Sequence, residues 1–250
     1  MNNNSNDIAK NDKIAAGLPN DKASNLNNMD ALSQYLKACA GSRVGRAIPP
    51  LETWHPKEVA DMDLVIKANG EWWHEGGKMT RQSLVDLFAT ILWKEENQGI
   101  VEYFLKTPVQ KIRIQVEDAP LLINDVGIVN EGHTSWLEFT TTTGDVVRLD
   151  DEHRLILKAY NPTVNSTENN STKNNSTETA SREDTENHQA VGIEVQVRPY
   201  MLVRSGLTAL VGRNTFYHLT EIGQLTEKNG ETILTLQSGG QSYQLSMPAS

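Results

Sequence analysis

Residues 103–125, YFLKTPVQKIRIQVEDAPLLIND, constrain the fold more than any other stretch of the chain. Ile112, Ile114 and Val116 alternate with Lys111, Arg113 and Gln115. A period of two belongs to a strand with one face buried and the other in water. The pattern recurs in WLEFTTTTGDVVRLDD, with a turn at Gly144-Asp145, and in HRLILKAY, VGIEVQV and PYMLVRS. It recurs again in TILTLQSGGQSYQLS, a hairpin opened by Asn229-Gly230. One-sided strands pair antiparallel. The expected fold is therefore α+β with mostly antiparallel sheets, made of two structurally similar α+β units, each with one principal helix packed on a sheet.

Asn69-Gly70 between DLVIKA and EWWHE is the sharpest local signal, because both residues tolerate the positive φ of a two-residue type I′ turn. Such a turn pairs Lys67 with Trp72, Ile66 with Trp73 and Val65 with His74. In that register Trp73 is a core partner of Ile66 and Trp72 stands over Lys67. His74 and Glu75 then face opposite sides of a regular strand and cannot act on one substrate atom. Beyond Gly76-Gly77, Thr80 is expected to cap a helix reaching about Glu95, with Leu84, Leu87, Phe88, Ile91 and Leu92 as its apolar stripe. A helix from Gly206 to about Glu221 carries Leu207, Leu210, Val211 and Leu219. Residues 29–40 form a shorter helix, capped by Asn28 and stopped at Gly41, with Cys39 on its apolar face. Both halves thus read strand, glycine punctuation, helix, further strands.

A mean hydropathy of −0.49 is low for a chain of 250 residues, and two polar segments depress it. Residues 1–27 cannot bury enough apolar surface to offset their ordering entropy, and a disordered tail is expected. Residues 161–190 contain NSTENNSTKNNSTET, with sequons at Asn165, Asn170 and Asn175. Strand-like runs flank this segment, so it is read as a disordered insertion replacing a turn between neighbouring strands. A net charge of −9 without clustered Lys or Arg argues against nucleic acid as a partner. Cys39 stands alone, so no intramolecular disulfide is possible. No secretory leader and no apolar run of about 18–20 residues is present, which predicts a cytoplasmic protein with no membrane insertion.

Chemistry is sparse. The six histidines, at 55, 74, 133, 153, 188 and 218, show no metal-binding spacing, and no nucleophile elbow, Walker loop or dinucleotide fingerprint is present. No cofactor and no metal are implied. Asp61 and Asp63 share a strand face and offer two carboxylates, fewer than a cation site needs. Glu117-Asp118-Ala119-Pro120 reads as a charged strand end, or else as a recognition loop.

DMDLVI, WWHEG, SLVDLFATIL, YFLKTPVQKIRIQVEDAP and, more loosely, YMLVRSGLTALV together resemble a largely proteobacterial family catalogued as the domain of unknown function numbered 1285. The resemblance spans roughly residues 49–245, the Asn-Ser-Thr insertion excepted. It implies a soluble protein of two related α+β units, similar to pleckstrin-homology-like domains, with a part in signal transduction. Positions matching its motifs are Asp61, Asp63, His74, Glu75, Gly76, Glu117, Asp118 and Pro120. The expected organisation is a tail (1–27), a helix and connection (28–48), a first unit (49–130) and a second unit (131–245) interrupted at 161–190. The leading functional expectation is a non-enzymatic module binding a small ligand or a protein, with a ligand in the cleft between the units. Two alternatives stay open: an enzyme using His74 or Glu75 with Glu117 or Asp118, and a scaffold whose partner adds to a sheet edge.

Overall fold

The computed structural model describes residues 26–40, 48–160 and 196–248. The expected tail, the Asn-Ser-Thr insertion with its sequons, and the Cys39 side chain lie outside the described residues or side chains. Helix α1 (Met29–Ala40) leads through a 3-10 turn (Leu51–Thr53) into strands β1 (Glu58–Ile66), β2 (Trp72–His74) and β3 (Gly77–Lys78). Helix α2 (Gln82–Ala89) precedes β4 (Leu92–Asn97), β5 (Ile100–Lys106) and β6 (Gln110–Val116). Then come β7 (Leu121–Glu131), β8 (Thr134–Thr141), β9 (Val146–Arg148), β10 (Leu155–Tyr160), β11 (Gln196–Arg204) and β12 (Leu207–Val211). Helix α3 (Arg213–Ile222) and the meander β13 (Gln224–Lys228), β14 (Glu231–Ser238), β15 (Gln241–Pro248) close the chain.

Two six-stranded sheets result, ordered β3-β2-β1-β6-β5-β4 and β10-β11-β12-β7-β8-β9, and the meander forms a separate three-stranded sheet. Among the described residues all strand pairs are antiparallel except the central ones, β1 with β6 and β12 with β7. The repeat is hairpin, helix, meander: β1-β2, α2, β4-β5-β6 in the first unit and β11-β12, α3, β13-β14-β15 in the second. Residues 161–195 join β10 to β11, antiparallel partners with Tyr160 opposite Gln196, as expected of an insertion at a turn.

The structure departs from the pattern expected of the sequence in four places. Trp72, not Trp73, faces Ile66, and Val65 lies opposite Trp73, a slip of one residue. The cause is the loop: Lys67 and Glu71 close it, only Gly70 takes positive φ, and Asn69 instead accepts the Glu71 N–H on its side chain at 3.1 Å. One residue of slip exchanges the faces of a strand, so Trp72 is 4 % exposed while Trp73 is half-buried against Glu71. Next, α2 ends at Ala89, and 92–97 form an edge strand paired with β5. Leu84, Phe88, Ile91 and Leu92 are all buried, but the last packs from a strand. Arg81 rather than Thr80 is the N-cap, with no side-chain cap bond. Third, residues 207–211 are a strand with Leu207, Ala209 and Val211 buried in alternation, and the helix starts only after Gly212. Fourth, β7 pairs with β8 and β12, so residues 121–130, expected in the first unit, belong to the second sheet.

Asn28 caps α1 as expected, accepting the Asp30 and Ala31 N–H groups at 2.9 and 3.3 Å. A single apolar cluster runs through both units. It joins Leu64, Ile66, Trp72, Phe88 and Ile112 of the first to Ile123, Phe139, Met201 and Leu207 of the second, and reaches Leu219 and Leu234 at the meander.

Candidate functional site

The sequence candidates are dispersed, and most are occupied with one another's neighbours. Asp61 pairs with Arg113 at 2.8 Å on the exposed face of β1, and Arg113 also holds Glu102 at 2.8 Å. Asp63 is exposed, and its backbone oxygen accepts from His74 Nδ1 at 2.8 Å and from the Glu75 N–H at 3.1 Å. Since a carbonyl only accepts, His74 donates to it from Nδ1. Glu75 is not in a strand: φ is 48° there and 74° at Gly76, the two-residue turn of the β2-β3 hairpin. The turn brings Glu75 Oε1 to 4.0 Å from His74 Nε2, which the alternation argument had excluded. The Glu75 side chain is 79 % exposed, so solvent screens the pair and no proton relay is built there.

Glu117 and Asp118 work as fastenings. Glu117 accepts from Lys67 Nζ at 2.7 Å and from the Ala68 N–H at 3.0 Å, pinning the β1-β2 loop. Asp118, its side chain 8 % exposed, accepts from Arg198 Nη1 at 2.8 Å and from the Tyr200 hydroxyl at 2.6 Å, tying the end of the first sheet to β11. Arg198 also lies 3.6 Å from the Tyr160 ring centroid. Burial, followed by Asp118, drives the Tyr200 phenol far above its usual range, and burial raises that of Tyr103 to about 12. Farther along the seam Arg204 donates to Asp145 at 2.8 Å and to the Ala89 carbonyl at 2.6 Å. Ser205 donates to Glu52 at 2.9 Å, and Gln82 to the Thr142 carbonyl at 3.2 Å. Where the sequence reading expects a ligand cleft between the units, the seam is packed and hydrogen-bonded.

An open pocket lies instead on the outer face of the first sheet. Strand alternation puts Phe104 and Lys106 of β5 on that face, beside Trp93 of β4 and Lys111 and Arg113 of β6. The segment Trp54-His55-Pro56, entering β1, completes a pocket of about 210 Å³ with Glu95, Lys106 and Lys111. Lys106 and Lys111 are directly opposed across the β5-β6 hairpin, whose turn is fixed by Thr107 Oγ1 and Gln110. Like charges at such positions repel. Lys111 is neutralised by Glu95 at 2.7 Å, whereas Lys106 has no carboxylate oxygen within 4 Å among the described residues. Its ammonium sits 3.8 Å from the Trp93 ring centroid, and the residue is 4 % exposed. Burial pulls its pKa down, with Glu95 opposing and Lys111 reinforcing the shift. A second pocket, about 130 Å³ between residues 151–155 and the meander, holds only the mutually paired, exposed Asp151 and Arg154 as charged groups. Among the described residues no cluster of three or more His, Cys, Asp or Glu is placed to bind a metal ion.

Sequence reasoning missed Lys106, because a lysine in an alternating strand looks like any solvent-facing one. The signal was present in KTPVQK, a short turn that sets two lysines opposite each other with no acid in the hairpin tip.

No curated protein matches the chain. A solved structure of a DUF1285 family protein from Silicibacter pomeroyi DSS-3 is 27% identical, over 86% of this chain and 94% of that one, with a TM-score of 0.58. A second, of a DUF1285 family protein from Shewanella baltica OS155, is 25% identical over 64% of this chain and 91% of that one, with a TM-score of 0.38. Residues 49–119 match the family model described as "Domain of unknown function (DUF1285), N-terminal domain", and residues 177–245 that described as "Protein of unknown function (DUF1285), C-terminal domain". The two matches cover more than half of the sequence and take in the two hairpin, helix and meander repeats, and the chain belongs to the DUF1285 family.

Proposed function

We propose that the protein is a non-enzymatic binding module, acting in the cytoplasm, whose ligand site is the Lys106 pocket on the outer face of the first sheet. One observation carries this reading: a lysine 96 % buried lines an open pocket with no carboxylate oxygen within 4 Å among the described residues. An ammonium held partly away from water against Trp93, and facing an open pocket without an anionic partner, is disfavoured, and its retention is best understood when a ligand supplies that partner. The part in signal transduction that the family resemblance implies fits a module of this kind and belongs to the same proposal.

The geometry fits the rival readings less well. An enzyme built on His74 and Glu75 with Glu117 and Asp118 needs groups that are free to react, and these sit on opposite sides of β1 with Glu117 and Asp118 engaged in fastening. A partner adding to a sheet edge meets Lys94, Glu95 and Glu96 on β4 and Lys158 on β10, charges that discourage strand addition.

The test is a thermal-shift screen of wild type and Lys106→Met against nucleotides, amino acids, metals, anions and lipid headgroups. A ligand at 100 times its dissociation constant adds about 2.7 kcal/mol, a rise of roughly 5–10 °C for a chain of this size. The reading expects a compound that stabilises wild type and leaves Lys106→Met unmoved. Hits that stabilise both proteins equally place the site elsewhere.

A further inference from the structure

Resting on that reading, we infer that the Lys106 pocket receives a compact oxyanion, the carboxylate or phosphate group of a small molecule, with Lys106 as its charge partner and Trp54 as the wall beside it. The charges in the pocket point this way. Lys111 and Glu95 neutralise each other at 2.7 Å, so the lining carries one uncompensated positive charge, that of Lys106. Trp93 cannot discharge that role, because an aromatic face attracts an ammonium without accepting its three N–H donors. Glu52 is near enough to feel Lys106, but it is turned toward the Ser205 hydroxyl at 2.9 Å and stays at the surface. His55 lines the same pocket and brings a ring N–H to it. A cation is the wrong occupant, since it would face the uncompensated Lys106 ammonium, and a wholly apolar ligand would leave the lysine donors unpaired.

Size and position narrow the class further. A pocket of about 210 Å³ holds one anionic group with a few further atoms, and is too small for a nucleotide or a folded peptide segment. The exposed lining of the pocket is mostly polar, which suits the anionic group itself rather than an apolar body behind it. Seating an anion also works against the burial that depresses the Lys106 pKa, so binding raises it and draws a proton from solvent at alkaline pH.

The experiment uses the full chain biosynthetically labelled with ε-¹³C-lysine, which leaves every ammonium intact and gives each an NMR signal. The Lys106 and Lys111 signals are assigned by their loss in Lys106→Arg and Lys111→Arg. Probes are inorganic phosphate, acetate and benzoate, each at constant ionic strength, with chloride as control; phosphate against the two carboxylates separates the sources of the oxyanion. The expected result is a saturable shift of Lys106 by at least one probe, a higher pH midpoint for Lys106 in its presence, and a loss of affinity on the order of 10- to 100-fold in Lys106→Met. Lys106→Met without ligand is expected to melt no lower than wild type, because it removes a partly desolvated charge that has no anionic partner and leaves a side chain of similar length on Trp93. Shifts spread evenly over all lysines, or affinity unchanged in Lys106→Met, overturn the inference. If no anion binds but an uncharged compound from the screen stabilises wild type and not Lys106→Met, the oxyanion class is wrong and the pocket reading stands. If nothing binds and Lys106→Met melts well below wild type, Lys106 is a structural residue and both fail.

Discussion

Replacing Asp118 by alanine tests whether the acidic pair at the end of β6 fastens the two units or recognises a ligand. The carboxylate accepts from Arg198 at 2.8 Å and from Tyr200 at 2.6 Å, in a side chain only 8 % exposed. Removing it leaves a phenol with no acceptor and a guanidinium without its counter-charge. Breaking a buried ion pair from one side costs about 3–5 kcal/mol. Arg198 is about a quarter exposed and keeps Gln196 and the Tyr160 ring, which discounts the figure to about 2–4 kcal/mol. At roughly 2–4 °C per kcal/mol the midpoint falls by about 4–16 °C. Urea unfolding of Asp118→Ala, Arg198→Met and the double variant gives the coupling directly, expected at about 1–3 kcal/mol. Ultraviolet titration adds an independent reading. Burial comes first and Asp118 next in holding the Tyr200 phenol neutral, so this tyrosine ionises at lower pH in Asp118→Ala. A variant within about 1 kcal/mol of wild type, or additive double-mutant energies, refutes the fastening argument.

Gly70→Ala puts a Cβ 2.8 Å from the Leu122 side chain at a φ of +83°, and is expected to cost about 1–3 kcal/mol in urea unfolding. Glu75→Asn, by contrast, should stabilise by about 0.5–1 kcal/mol, since asparagine suits the first position of the Glu75-Gly76 turn better than glutamate; a loss of stability sinks the turn assignment. Tyr103 titrates at about 12 in the folded protein against about 10 unfolded, so the neutral phenol is the form that folding favours. Its stabilising effect is complete below pH of about 10 and is lost as pH climbs through about 12, and Tyr103→Phe flattens that alkaline fall in a pH series of melts.

The strands from 110 to 116 and the hairpin at Asn229-Gly230 were legible in the sequence because local pattern and tertiary burial agree there. Ile112 and Ile114 are buried and Arg113 is exposed, as alternation requires. Asn229 and Gly230 both take positive φ, as their turn requires. Leu84 to Leu92 was ambiguous for a physical reason. Ile91 and Leu92 continue a helical stripe on paper, yet pairing with Leu105 turns Leu92 into a strand residue. Leu207 to Val211 failed likewise, because hydrogen bonding to β11 and β7 decides a segment whose apolar spacing fits either period. Asn69-Gly70 identified the hairpin but not its loop length, and one residue exchanged the roles of two tryptophans. The site was the least legible part. His74, Glu75, Glu117 and Asp118 stand out as residue types, but what matters at Lys106 is a missing partner, and that is visible only once residues 54–56, 95 and 111 converge.

The most direct measurement is ¹H–¹⁵N mapping of whichever compound stabilises the protein most, read at the indole N–H groups of Trp54 and Trp93 and at the backbone of 54–56, 95, 106 and 111. The account predicts that these signals move together along one saturation curve while those of Asp118, Arg198 and Tyr200 at the seam stay still. Movement at the seam or at the β10 edge with Trp54 and Trp93 unchanged would contradict it.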